Sequence, residues 1–213
     1  MPLYTTDALI LRTYKLGESD RIVVFLTRDR GKKRGVAKNA RQSRRRFGGA
    51  LESMTCGRIE YLERERRDLV AVHYVEVIRS PMSALDGDAL GHVGYFAELI
   101  DEWAPEGDPS ETLFRLGASM VDAMAEGVPI DPLARYFEHW LLRLQGVYEP
   151  DGKLSAEAQA FLDAARTCSP FRLAEIAVSP RALRELEASH RAQIAMHLEK
   201  ELKSPRVLRE MRR

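Results

Sequence analysis

Ala8-Leu9-Ile10-Leu11-Arg12-Thr13-Tyr14-Lys15-Leu16-Gly17-Glu18-Ser19-Asp20-Arg21-Ile22-Val23-Val24-Phe25-Leu26-Thr27 is the stretch that decides the fold. Both of its ends are short apolar runs rich in strand-forming side chains, and Gly17-Glu18-Ser19-Asp20 between them supplies the chemistry of a turn. Working outward, Gly31 opens a second turn and Gly35-Val36-Ala37-Lys38 predicts a third short strand. Arg58-Ile59-Glu60-Tyr61-Leu62 alternates polar and apolar residues, as Leu69 to Val77 does in part, with the charged run Glu63 to Asp68 as a hairpin tip between them. Alternation of period two marks strands with one wet face. Five strands and no long helix before Arg79 predict a small closed or half-closed β-barrel.

After Arg79-Ser80-Pro81 the period changes. Val93, Phe96, Ile100 and Trp103 lie at helical spacing. Asp108-Pro109 predicts a helix start, with Leu113, Leu116, Met120 and Met124 on one face and Gly127 just past its end. Asp131-Pro132 predicts another, carrying Leu133, Phe137, Trp140, Leu141 and Leu144 up to Gly146. An Asp offers a capping oxygen, a Pro has no amide hydrogen to waste, and a Gly accepts the left-handed cap. Ser179-Pro180 repeats the start signal ahead of Leu183, Leu186, Ile194 and Leu198. The expectation is an α+β chain of two domains, a β-barrel over residues 1–79 and an all-α domain over 80–213.

Charge is unevenly spread. From Arg28 to Arg46 there are ten Lys or Arg and one acid, Asp29, a window of +9 in a chain whose net charge is +1. Residues 1–79 carry +8 and residues 80–213 carry −7. A basic window on an otherwise ordinary chain points to a polyanionic partner. Its cations Arg28, Arg30, Lys32, Lys33, Arg34, Lys38, Arg41, Arg44, Arg45 and Arg46 are the candidate nucleic-acid ligands, because phosphates are held by charge and hydrogen bonds from Lys and Arg in any number. Single strands also ask for flat groups on which bases stack. Phe47 stands beside three arginines, and Tyr14, Phe25 and Tyr61 lie on the flanking strands. Core packing is the competing role for Phe47.

Other chemistry lacks a motif. No apolar run approaches the roughly 18 residues that span a bilayer, and the amino terminus lacks the layout of a signal peptide, so the expected location is cytoplasmic. Cys56 and Cys168 are too few for a zinc site built from Cys pairs and read as free thiols. The five histidines show no ligand spacing, and neither a phosphate loop nor a dinucleotide fingerprint occurs. Glu18 and Asp20 lie close in a turn, where carboxylates ordinarily cap. No nucleophile, base and orienter assemble, so the chain reads as a binding protein with no catalytic residue, cofactor or metal.

The N-terminal half resembles the RecO family of bacterial DNA repair and recombination proteins. The resemblance rests on Ala8-Leu9-Ile10-Leu11, Gly17 to Val23, Phe25 to Gly31, Val36 to Arg41 and Ser43-Arg44-Arg45-Arg46-Phe47-Gly48-Gly49-Ala50-Leu51-Glu52. Tyr136-Phe137-Glu138, Leu144-Gln145-Gly146 and Leu202 to Leu208 match more loosely. It implies an OB-fold joined to a helical domain, binding of single- and double-stranded DNA, and annealing of complementary strands. It also implies engagement of RecR and of the acidic tail of single-stranded DNA-binding protein, help in loading RecA, and association with the nucleoid. Many relatives carry a four-cysteine zinc module after the helix that ends at Gly146. Here Val147 to Arg166 has no cysteine, so no structural zinc is expected. Lys200, Lys203, Arg206 and Arg209 are the candidate partner-binding cations, since an acidic peptide needs cations near a greasy groove. An OB-fold RNA-binding or translation-associated module is the rival reading.

Overall fold

Why the run Ala8 to Leu11 has no polar gap is visible in the computed structural model, which describes residues 2–63, 68–83, 87–198 and 202–204. Ala8 and Ile10 turn into a barrel, while Leu9 and Leu11 turn outward under a layer of helices. A strand buried on both faces needs no wet side. The same holds for the next strand, where Val23 and Phe25 point in and Val24 and Leu26 point out.

The strands are β1 (Leu3–Leu16), β2 (Asp20–Thr27), β3 (Lys32–Ala37), β4 (Cys56–Leu62) and β5 (Val70–Arg79). They close in the order β1-β2-β3-β5-β4, with β4 returning to β1. All neighbours are antiparallel except β3 and β5. The register of β1 against β2 shifts between Ile10 and Arg12, so Leu11 and Arg12 both reach the outer side. The expected hairpin tip falls partly on residues 64–67, outside the described residues.

A four-residue helix, α1 (Arg44–Phe47), sits inside the β3–β4 connection. The second domain holds α2 (Gly87–Trp103), α3 (Glu111–Ala125), α4 (Ile130–Leu144), α5 (Ala156–Ala165) and α6 (Pro180–Leu198). Phe96, Leu99, Ile100, Leu113, Met120 and Phe137 form one core with the outward residues of β1 and β2, so the barrel and the helices share a single apolar interior. The expected caps need correction at two starts. α3 begins after Ser110 and α4 after Pro129, neither with a side-chain cap bond, and Asp131 lies inside the first turn of α4. There its charge still complements the helix N-terminus. At α6 the Ala182 amide donates to Ser179 Oγ at 3.2 Å, as a cap should.

Candidate nucleic-acid interface

The pleat of β3 divides the basic window. Lys32 and Arg34 pair with the outward residues Leu26 and Val24, so their side chains turn toward the helices. Lys32 is only 8% exposed; its ammonium lies 3.2 Å from Asp101 and donates to the Asp101 carbonyl. Arg34 pairs with Glu106 at 3.1 Å and Arg28 with Glu111 at 3.1 Å. Arg12 joins the same acids, 3.0 Å from Asp101 and 3.6 Å from Glu98. The backbone docks there too: the Lys32 amide donates to the Pro105 carbonyl, and the Gly107 amide donates to the Lys32 carbonyl. Gly31 adopts φ +68, and a Cβ on it would stand 2.4 Å from the Asp108 carbonyl oxygen, so only glycine permits this approach.

This half of the window therefore answers the acids of the helical domain. Lys32 is a correction to the candidate set, because a buried ammonium on a carboxylate offers nothing to a phosphate in solution. Lys33 points the other way and pairs with Glu63 at 2.8 Å. The Arg30 guanidinium lies 3.9 Å over the Tyr4 ring.

The second half stays open. Lys38, Arg44 and Arg45 are exposed, and their charged groups have no partner among the described residues. Arg41 donates to the Glu18 carbonyl at 2.7 Å and Arg46 to the Lys38 carbonyl at 2.8 Å. A carbonyl fixes a guanidinium in place without cancelling its charge. Five cations are thus held together unneutralised on the β3–β4 connection.

Two anchors order this connection. Phe47 is 3% exposed and packs in the barrel cluster with Ile10, Phe25 and Tyr61, seating α1. It is a plug and not a stacking surface, and Phe25 and Tyr61 are likewise interior; of the aromatics named from the sequence, only Tyr14 is open, at 48%. The second anchor is Asp20, whose carboxylate accepts the Asn39 amide at 2.8 Å while the Arg41 amide donates to the Ser19 carbonyl. Asp20 thereby ties the β1–β2 turn to the basic loop. No group of three or more His, Cys, Asp or Glu with metal-holding geometry occurs among the described residues.

Lys15 and Arg21 escaped the sequence reading. The register pairs Lys15 with Arg21 and Arg21 with Ala37, one residue before Lys38, so both cations border the open loop across adjacent strands. Their signal was the length of β1: a strand carried through to Leu16 puts Lys15 beside Arg21. Of the candidate partner-binding cations, Lys200, Arg206 and Arg209 lie outside the described residues. The Lys203 amide donates to Glu98 at 3.0 Å, with the Ser204 amide on the same carboxylate at 2.7 Å.

The fold and this surface define a class, an OB-type barrel with a basic mouth and a helical domain docked on its flank. Residues 1–81 match the family described as Recombination protein O N terminal, and residues 84–152 match Recombination protein O C terminal. The chain belongs to the recombination protein O (RecO) family. It is 42% identical over 150 residues to the DNA repair protein RecO of Koribacter versatilis (strain Ellin345), covering 70% of this chain and 61% of that protein. To the protein of the same name from Anaeromyxobacter sp. (strain K) it is 43% identical over 142 residues, 65% of this chain and 55% of the relative. To that of Geobacter metallireducens it is 39% identical over 142 residues, 66% and 57%. The matched region thus spans between about half and three fifths of these curated relatives. No helix among the described residues is long and apolar enough to cross a membrane.

Proposed function

We propose that the protein is a non-enzymatic mediator of DNA repair and recombination. In this reading it binds single- and double-stranded DNA at the barrel mouth and anneals complementary strands. With RecR it helps load RecA onto DNA coated by single-stranded DNA-binding protein, in the cytoplasm at the nucleoid. The observation that carries the reading is the set Lys38, Arg41, Arg44, Arg45 and Arg46, five cations fixed on one loop without a carboxylate partner among the described residues. The names of the relatives, DNA repair protein RecO, support the same pathway.

The mechanism asks only for electrostatics. Two strands repel through their phosphates, and annealing is slow until that repulsion is screened. Cations on an ordered loop offset the negative potential of the phosphates and hold two backbones near each other, while the bases stay free to pair. Arg41 and Arg46, pinned by carbonyls, are pre-oriented; Lys38, Arg44 and Arg45 follow the backbones as they move. No bond is made or broken. The test is annealing of complementary oligonucleotides with and without single-stranded DNA-binding protein. Acceleration by the protein, lost in an Arg44→Glu, Arg45→Glu, Arg46→Glu variant that keeps its fold, is the expected result. Equal acceleration by that variant contradicts the reading. Preference for RNA over DNA oligonucleotides in competition would redirect it to RNA.

A further inference from the structure

A row of apolar side chains crosses the outer wall of the barrel at its mouth end. The register sets Tyr14 of β1 beside Ile22 of β2, Ile22 beside Val36 of β3, and Val36 beside Ala71 of β5. Val24 and Leu26 show which way this face points, since both lie on the outer side against the helices. Alternation along β2 puts Ile22 on the same side, yet Ile22 and its row stand outside the core that the barrel shares with the helical domain. Ile22, Val36 and Ala71 are half-buried, and Tyr14 is 48% exposed. With neighbouring strands about 4.8 Å apart, the row is roughly 14 Å long.

Single exposed apolar side chains are ordinary on a protein surface. Here four adjoin on successive strands of the barrel, and the largest is held at its tip. The Tyr14 hydroxyl interacts with the Arg12 guanidinium, which Asp101 holds at 3.0 Å from the helical side. A ring tethered in this way is ordered before any ligand arrives. Cations flank the row. Lys15 follows Tyr14, Arg21 precedes Ile22 and Lys38 lies two residues past Val36, so the wall runs directly into the open half of the basic loop. The barrel interior offers no rival surface, because Phe25, Phe47 and Tyr61 fill it.

We infer that this wall is a base-stacking track that selects single strands. Phosphates lie along Lys15, Arg21 and Lys38, while bases lie on Tyr14 and over Ile22 and Val36. A base in a single strand has a free π-face to offer an aromatic ring. In a duplex both faces are taken by the neighbouring pairs, so the wall adds affinity for single strands only, whereas the loop cations serve both forms. Stacking uses the faces of the bases and leaves their pairing edges open, as annealing requires. The track extends the basic loop and depends on that loop being the DNA site.

The test is fluorescence anisotropy of the full chain with a labelled thymine oligonucleotide, an abasic strand of the same length and a blunt duplex. The wild type should bind the thymine strand more tightly than the abasic one. Tyr14→Ala should weaken binding of the thymine strand roughly five- to hundredfold, the share of one stacked base. Its affinity for the abasic strand and the duplex, and its salt slope, should stay as in the wild type, since no cation is lost. Tyr14→Phe, which keeps the ring, should bind nearly as the wild type does. Equal wild-type affinity for the thymine and abasic strands overturns the track without any variant. So does a Tyr14→Ala variant that keeps its single-strand affinity, or that loses single strand and duplex alike. Self-association of the wild type that Tyr14→Ala abolishes, with DNA affinity unchanged, would give the wall to a second copy of the chain instead. The Arg44→Gln, Arg45→Gln, Arg46→Gln variant reports separately on the loop: weaker binding of all the probes upholds it, and unchanged binding refutes the loop itself.

Discussion

Replacing Lys32 by Met separates docking from binding. The side chain is 9% exposed, and its ammonium lies 3.2 Å from a carboxylate, Asp101, that is itself 12% exposed. Breaking a buried ion pair from one side costs roughly 3–5 kcal/mol, because the other charge is stranded. Asp101 is not wholly stranded here, since Arg12 remains at 3.0 Å. Met also keeps the volume of the lysine stem, so no cavity adds to the loss. The expected destabilisation is therefore about 2–3 kcal/mol, below the full figure for a lone pair. With a urea slope of about 2 kcal/mol/M, the unfolding midpoint should fall by roughly 1–1.5 M. The assay is urea unfolding followed by fluorescence, with the Asp101→Asn and double variants completing a thermodynamic cycle. The salt dependence of DNA binding should stay as in the wild type. A variant as stable as the wild type but weaker for DNA, with a shallower salt slope, would refute the docking role and return Lys32 to the interface.

Three further expectations follow from the same geometry. Phe47→Ala should destabilise the barrel by about 3–5 kcal/mol as a core truncation, whereas Phe47→Leu should keep DNA affinity, because the ring is a plug; loss of affinity in a stably folded Leu variant would revive stacking. Gly31→Ala should cost at least about 1–2 kcal/mol from its left-handed backbone alone, with the Asp108 contact adding to it, and a melt read against wild type checks this. His139 has a folded pKa of about 3, below its unfolded value. The unfolded chain then binds the extra proton, so stability is intact above about pH 6.5 and falls as pH drops toward 3, by roughly 1.4 kcal/mol per unit. Between pH 7.5 and 5 this amounts to about 2 kcal/mol, and a folded His139→Leu variant should show a correspondingly flatter stability profile over that range.

The two halves of the chain were not equally legible. The strands announced themselves through alternation and turns, and Ala8 to Leu11 and Arg21 to Thr27 fall inside β1 and β2. Helices with large apolar stripes, such as α3 and α4, were visible. α5 was missed because its sequence is rich in alanine, with Phe161 and Leu162 side by side and no stripe. α1 is too short for any period to show. The division of the basic window lay deeper. Lys32 and Asp101 are 69 residues apart, and nothing local in either says that they meet. The opposed charges of the two halves did carry a trace of it: a basic barrel and an acidic helical domain in one chain also attract each other, and part of the window serves that attraction. The basic loop of Lys38 to Arg46 was legible as charge, while its tethering by Asp20 and Phe47 required the fold.

The most direct measurement of the central claim is the salt dependence of single-stranded DNA affinity for wild type and for an Arg44→Gln, Arg45→Gln, Arg46→Gln variant. Each phosphate contact adds about 0.7 to the slope of log affinity against log salt, so losing three cations should make the slope shallower by about 2. The Arg28→Gln, Arg34→Gln variant, with its cations on acids of the helical domain, should leave the slope unchanged. A slope unaltered in the triple variant, or reduced as much in the double one, contradicts the division of the window into a docked half and an open one.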